Sequence, residues 1–589
     1  MKHCPICERV YGDETLQFCR ADGALLVESG AGASESATRV LDQSPAAEGQ
    51  PTELLPRSTN ESRRVTSTLG TKLAPAVPAA EGENQQRKSV RRRKVALIIT
   101  AIIVVVFGIP VLVLAIAGLV AYRHARDTEV AIESIAVLPF ENQNRDPDSE
   151  YLSDGLTESI IYRLSLLPNL KVSPRSSVFS YKGKQTDPIK AGKELGVNVV
   201  LSGRITQRGD QLVIGTELTD VRYNKLLWGE HYDRKMADLL ATQREIAEEI
   251  TDKLKVRISG EDKQLASKHY TESNEAYQSY LKGRFYWNKR SREGYRKAIE
   301  HFTAAIGQDS SFALAYAGLA DCYNVLSSYG ISSPKESFPL AKAAATKALE
   351  LDGNLAEAHT SLAYFKYQYE WDWAGAEREF KRAIELNPNY ATAHAWYAIE
   401  LAGMGRVDES LREIGRAQEL DPLSLSTSAS AGWLFYHARR YDDAIAQYQK
   451  SLDLDQNFAR AHWGIAEPYL LKGDYERAIK ELQTARQLDE TTIVLGLLGH
   501  AYAAAGRKTE AQRILDKLKQ QSKTKYVDSY FLAETHAVLG EKDKAFAELG
   551  DAYRERSSWI VWVKVEPKFD NIRSDPRFQD LVRRVGLSQ

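Results

Sequence analysis

The sequence predicts a multidomain chain: a short zinc-ribbon-like head, one transmembrane helix, an α/β domain and an all-α solenoid of helix-turn-helix repeats. Three observations carry this reading. Residues 95–122 form an uncharged, strongly apolar run. Strand-like and helix-like segments alternate over residues 132–261. Small residues then recur at a fixed interval through the C-terminal half. At 589 residues the chain is too long for a single hydrophobic core. Its 27% charged and 43% hydrophobic content fits a mostly globular protein. A formal net charge of -1 gives no overall field toward nucleic acid, which is not expected as a partner. Of the 4 cysteines, three sit at the extreme N-terminus and Cys322 lies far from them, so no disulfide framework is built in.

Residues 1–28 contain Cys4 and Cys7 as a CxxC knuckle, followed by Cys19 in the segment FCRADG. Two facing knuckles supply the tetrahedral cage that zinc prefers. Asp22 holds the place of a fourth cysteine, and a carboxylate oxygen can ligate zinc. Cys4, Cys7, Cys19 and Asp22 are therefore the expected metal ligands, with His3 the other candidate for the fourth position. The segment is too short to bury a core, so a structural zinc would supply its folding energy. It resembles the zinc-ribbon heads found at the N-terminus of some bacterial membrane proteins, which serve as interaction or structural modules.

Residues 29–94 are rich in Ala, Ser, Thr, Pro, Glu and Gln without apolar periodicity, the composition of a disordered linker. The linker ends in a basic cluster, Arg87, Lys88 and Arg91 to Lys94. The uncharged run at residues 95–122 follows, and about 20 such residues suffice to cross the bilayer core. Lys and Arg are denser before the run than after it, where Arg123 and Arg126 are soon joined by Asp127 and Glu129. The positive-inside rule puts the N-terminus in the cytoplasm and the C-terminal domains outside it, in the periplasm. A single-pass cell-membrane protein is expected.

Residues 132–261 open with the short apolar strand SIAVLPF, and residues 151–167 have helical spacing. LKVSPRSSV is a second strand candidate, and DPIKAGKELG reads as a helix. VVLSGRIT and QLVIGTELTDV flank a polar, Gly-containing turn at residues 207–210 and read as a hairpin. Leu212, Ile214, Thr216 and Leu218 share one face of its second strand. A last helix is expected from about Met236 to Val256. Asp154 and Glu158, one helical turn apart, read as a solvated surface face.

The segments IAVLPF, EYLSDGLTESI, ELGVNVVLSGRI and LLWGEHYDR resemble the TolB-like N-terminal α/β domain that precedes repeat arrays in many bacterial proteins. Relatives of that kind often carry a winged helix, a nucleotide cyclase domain or a kinase domain on the N-terminal side. The resemblance implies a sensing or binding domain and imports no activity. No phosphate loop, kinase HRD or DFG, GxSxG or HExxH motif occurs, so no enzyme is expected.

Over residues 272–560, Ala383, Ala417, Ser451 and Ala485 are each 34 apart (417−383, 451−417, 485−451). Ala376, Ser410, Ala444 and Ala478 repeat the interval. A 34-residue period of paired helices is the signature of the tetratricopeptide repeat (TPR). Phe380, Ile414, Tyr448 and Leu482 are expected to fill the core between repeats, and Pro388 and Pro422 to follow the second helix of a pair. About eight repeats are expected, with residues 561–589 capping the last helix and their aromatic residues packing within that cap. His359 and His394 read as packing residues and Cys322 as a buried, inert thiol.

A stacked solenoid presents a concave groove that takes peptides or helices of partner proteins. The expected function is a membrane-anchored protein–protein interaction scaffold, contacting lipid through one helix. The alternative is a signalling or transcription-regulatory membrane component acting through its cytoplasmic ribbon.

Overall fold

The computed structural model describes residues 2–3, 10–11, 27–28, 132–144, 146, 149–167, 170–254 and 270–587. The chain divides into two units, Met1–Glu28 with Ala131–Gln589, and Ser29–Val130. The predicted linker, the predicted membrane span at residues 95–122, and Cys4, Cys7, Cys19 and Asp22 all lie outside the described residues. Among the described residues no helix is long and apolar enough to cross a membrane.

At the N-terminus, β1 (Lys2–His3) lies between two antiparallel partners, β2 (Val10–Tyr11) and β3 (Val27–Glu28). Their registers are Lys2↔Tyr11 and His3↔Val27. The second connection thus returns the chain to the end of β1 from which the first departs.

The α/β domain begins with β4 (Ser134–Val137), β5 (Glu141–Asn142) and α1 (Glu150–Ser165). Next come β6 (Lys171–Val172), α2 (Arg175–Phe179) and α3 (Pro188–Leu195). Three long strands follow: β7 (Val199–Arg208), β8 (Gln211–Asp220) and β9 (Lys225–Lys235), then α4 (Leu239–Lys253). The sheet order is β6-β4-β7-β8-β9, with β5 beside β7. β4 pairs parallel with β6 and β7, whereas β7, β8 and β9 form an antiparallel meander. The mix follows from the connections, because helices carry the chain between parallel strands and short turns serve the meander. Gly209, at φ +61, supplies the left-handed backbone of the first turn.

Two expectations change here. PRSSV leaves the sheet after Val172 and forms α2. Pro174 has no N–H to extend a ladder and stands at the N-cap of that helix. The segment LLWGEHYDR forms β9 and widens the predicted hairpin to three strands. Leu212, Ile214, Thr216 and Leu218 are all buried on one face.

Eight antiparallel helix pairs follow among the described residues: α5 (Asn274–Trp287) with α6 (Arg292–Gln308), and α7 (Ala313–Ser328) with α8 (Pro334–Leu351). Then come α9 (Ala356–Phe365) with α10 (Trp373–Leu386), and α11 (Ala391–Gly403) with α12 (Val407–Leu420). The series continues with α13 (Leu425–His437) and α14 (Tyr441–Leu454), and α15 (Ala459–Leu471) and α16 (Tyr475–Leu488). It ends with α17 (Thr492–Ala504) and α18 (Lys508–Gln521), and α19 (Ser529–Val538) and α20 (Lys542–Glu555). The predicted solenoid is observed. Phe380, Ile414, Tyr448 and Leu482 are buried between its layers. Tyr448 shows why small residues recur: its ring lies so close to Gly432 and Gly464 that a Cβ there would come within 2.8 and 2.4 Å of it.

The α/β domain packs directly on the first repeats, and one hydrophobic cluster runs from Ile132 through Leu355 into Ala358. Within this junction Glu158 accepts hydrogen bonds from Arg284 at 2.7 and 2.5 Å and from Asn288 at 2.9 Å, and Arg175 lies 3.1 Å away. Lys182 bonds both oxygens of Asp154, at 2.6 and 2.7 Å. The expectation of a solvated acidic face is thereby corrected, because α1 turns that face onto α5 and onto the loop after α2. Burial alone would raise the Glu158 carboxyl, but Arg284 and Arg175 more than offset it and hold it below its ordinary value.

Candidate functional site: a tryptophan-lined groove closed by the C-terminal segment

The first helices of successive repeats line the concave face. α11, α13 and α15 bring Trp396, Trp433 and Trp463 to a cavity of about 170 Å³. Arg460, from the first turn of α15, reaches the same cavity and donates to Ser430 Oγ at 3.2 Å. Among the described residues no carboxylate pairs with Arg460. Asp421 lines one edge and accepts a hydrogen bond from Ser176 of the α/β domain, so the groove touches that domain as well. Burial pushes the Asp421 carboxyl up to about 6.

The remaining wall comes from the C-terminal segment, which does more than cap the last helix. After α20 the chain enters the concave face. Ser558 Oγ lies 2.7 Å from Ser327 Oγ of α7. Trp562 stacks on His437 at 4.3 Å between centroids, and Trp559 and Trp562 both meet Trp433 edge-on at 5.4 and 5.5 Å. Lys564 Nζ donates to the Met404 carbonyl at 2.9 Å, and Tyr436 OH donates to Glu566 at 2.6 Å. Lys568, 1% exposed at its side chain, lies 2.7 Å from Glu467 and 3.0 Å from Glu534. Its charge is favoured because the three nearby glutamates, Glu566 included, more than offset the cost of burial. A final helix, α21 (Pro576–Arg584), leads to Val585, whose carbonyl accepts from Trp373 Nε1 at 3.0 Å. The segment is a strap across the inside of the solenoid, in contact with α7, the end of α11, α13, α15 and α19.

What stays open is an aromatic shelf with two cations, Arg290 and Arg460, and several hydroxyls, including those of Ser424, Thr392 and Thr427. Such a surface can take an extended segment that offers an apolar or aromatic side chain and an acceptor or anion. The sequence reading named the groove but not these residues. The only signal for them was tryptophan or arginine on a first helix where the repeat pattern asks for nothing large.

The other singled-out residues are scattered. His359, His394 and His462 clamp the repeats. The Nδ1 of each lies 2.6–2.7 Å from a glutamate of the paired helix (Glu379, Glu413, Glu481), and Nε2 lies 2.9–3.2 Å from a carbonyl of the preceding turn. They are hydrogen-bonded bridges rather than simple packing. Cys322 is buried, and burial raises its thiol well above the ordinary value.

Comparison with known proteins agrees with this architecture. Residues 398–457 and 429–492 match the tetratricopeptide repeat, and residues 131–249 match the family described as HilA/YgeH-like transcriptional regulator, second domain. The C-terminal helical array is built of tetratricopeptide repeats. It is 30% identical over 286 residues to the protein named "Putative adenylate cyclase 3" of Rhizobium meliloti (strain 1021), covering 47% of this chain and 41% of that one. It is 25% identical over 321 residues to the transcriptional regulator HilA of Salmonella typhimurium, covering 53% and 55%. The chain spans about half the length of the curated relatives it matches. A solved structure of Pseudomonas aeruginosa pilF is 22% identical and covers 37% of this chain and 95% of its own, with a TM-score of 0.29.

Proposed function

We propose that this protein is a membrane-anchored scaffold for protein–protein interaction, and that its open groove around Trp396, Trp433, Trp463 and Arg460 receives an extended segment of a partner. The observation that carries this is Arg460, with no carboxylate partner among the described residues, beside three tryptophans on a concave face. Residues 95–122 serve as the membrane helix, with the head in the cytoplasm and the TolB-like domain and array in the periplasm. Zinc on Cys4, Cys7, Cys19 and Asp22 holds the head together, a reading supported by the strand register that returns Val27 beside His3. No reaction is assigned to the chain.

The test places a photo-crosslinking amino acid at Trp396 in the living cell and identifies what it captures. One defined protein, lost on Arg460→Glu and kept on a charge change outside the groove, supports the scaffold. Capture that Arg460→Glu leaves unaltered sinks it. A reporter fused after the C-terminus, active only outside the cytoplasm, tests the membrane orientation separately.

The match of residues 131–249 to a second domain of transcriptional regulators favours one further reading. In it the same groove receives a signal, and the cytoplasmic head passes it on. Transcript changes that follow loss of the full chain and persist when only residues 1–28 are deleted count against that route.

A further inference from the structure

A second cavity, of about 90 Å³, lies at the junction of the α/β domain with the repeats, apart from the groove. α1 contributes Tyr162, α5 contributes Tyr280, the stretch before α5 contributes Tyr270, and the turn before α11 contributes Tyr390. α9 contributes Glu357, from its first turn. Glu357 is 9% exposed. Among the described residues no other side chain hydrogen-bonds or ion-pairs with its carboxylate. A buried carboxylate without a partner costs several kcal/mol unless a proton or a cation compensates it.

The two cations in the wall are engaged elsewhere. Arg284 is held by Glu158, and Arg163 donates to Gln243 at 3.2 Å. Behind Glu357 the field is acidic. Burial raises its carboxyl, with Asp321 and Asp352 adding to the rise; its own backbone N–H and Arg284 oppose them, and the balance lies at about 7. Around it stand tyrosine rings, whose π faces attract cations. Two tyrosines are fixed by their hydroxyls: Tyr162 and Tyr270 lie 3.3 Å apart, oxygen to oxygen. Tyr280 is wedged against Phe302 and Phe312, at 5.8 and 5.1 Å between centroids.

We propose that this junction cavity is a binding site for a small organic cation, an ammonium group set against the Glu357 carboxylate and enclosed by tyrosine rings. Its volume sets the size. An apolar cavity of about 150 Å³ takes benzene, so about 90 Å³ suits a group of roughly four heavy atoms. A bound cation supplies the partner that Glu357 lacks, and it bridges α1, α5 and α9, which belong to both sides of the junction. Occupancy therefore tightens the α/β domain against the array.

The experiment is calorimetric titration of the purified full chain with trimethylammonium, compared with isopropyl alcohol, a neutral molecule of the same heavy-atom count. Expected is saturable binding of trimethylammonium at one site, with the alcohol at least about tenfold weaker. Glu357→Gln weakens the cation at least about tenfold and does not lower the melting temperature, since it removes a buried charge. Tyr280→Phe binds like the parent, because the ring face remains. Binding weakens about tenfold from pH 8 to pH 6 as Glu357 gains its proton. The other charged groups facing it are Arg284, Arg163, Glu158, Asp321 and Asp352. Should Glu357→Gln fail to fold, Tyr280→Leu, which keeps bulk and loses the π face, carries the same expected loss. Absence of saturable heat up to about 100 mM, beyond the weak end of such contacts, overturns the proposal. So does equal affinity for the alcohol, or an affinity that both variants leave unaltered.

Discussion

Glu158 of the α/β domain and Arg284 of the first repeat form a two-bond ion pair, at 2.7 and 2.5 Å, that ties the two parts of the folded body together. Both side chains are largely buried, at 14% and 25% exposure. Glu158→Ala leaves Arg284 and Arg175 facing each other without their shared carboxylate. We expect a loss of about 3 kcal/mol in urea unfolding. A double-mutant cycle with Arg284→Met should return a coupling of at least about 1.5 kcal/mol. A coupling near zero would mean that the junction is held by its apolar contacts alone.

Lys568 in the strap sits among Glu467, Glu534 and Glu566. Lys568→Met strands those carboxylates and should cost about 3–5 kcal/mol. Adding Glu467→Gln and Glu534→Gln to it should restore most of that loss, because the strap then lies over neutral partners. Thermal unfolding of the single and triple variants checks this, and a triple variant no more stable than the single one refutes it.

Glu400 in α11 is fully buried, and among the described residues neither carboxyl oxygen has a hydrogen-bond partner. Burial pushes it up to about 9, with Glu377 adding to the rise and Arg406 opposing it. Its folded value exceeds its unfolded value of about 4.3, so the folded state binds the extra proton. Stability from this group is greatest at low pH, falls as pH climbs from about 4.3 to about 9, and is flat above. Glu400→Gln should therefore gain on the order of 4 kcal/mol over the parent at pH 8 and little at pH 5. Equal melting temperatures across that range would disprove the assignment.

His462 titrates in the same sense for a different cause. The Glu481 carboxylate raises it, burial notwithstanding. Its clamp contributes fully below the unfolded value of about 6.5 and is lost as pH rises through the raised folded value. His462→Ala is expected to cost about 1 kcal/mol at pH 5.5 and less at pH 8.5. A cost that does not change with pH would make the histidine a neutral spacer.

Local and periodic features could be read from the sequence. The 34-residue interval, with Ala383 and Ala485 at either end of the clearest stretch, needed only the geometry of one helix pair repeated. The strand face of Leu212 to Leu218 needed only alternation. The strap could not be read, because Lys568 and Glu467 meet across 101 residues and Ser558 and Ser327 across 231. No periodic pattern marks such a pairing. Glu158 misled for the same reason: its helix face shows charge, but its partner Arg284 lies 126 positions away. Trp433 and Trp463 became visible as groove residues only once Trp559 and Trp562 had been placed against Trp433.

The strap also bears on how the molecule comes to be folded. An ordinary repeat array grows one layer at a time, each layer leaning only on its neighbour, so early layers can mature while later ones are still being made. Here the interior of the second, fourth and fifth pairs is completed by residues 558–568. Those layers remain unfinished until residues 558–568 have been made and have folded back onto them. That short stretch acts as the keystone of the array, and truncation before it should yield a molecule with its inner surface bare and prone to aggregation.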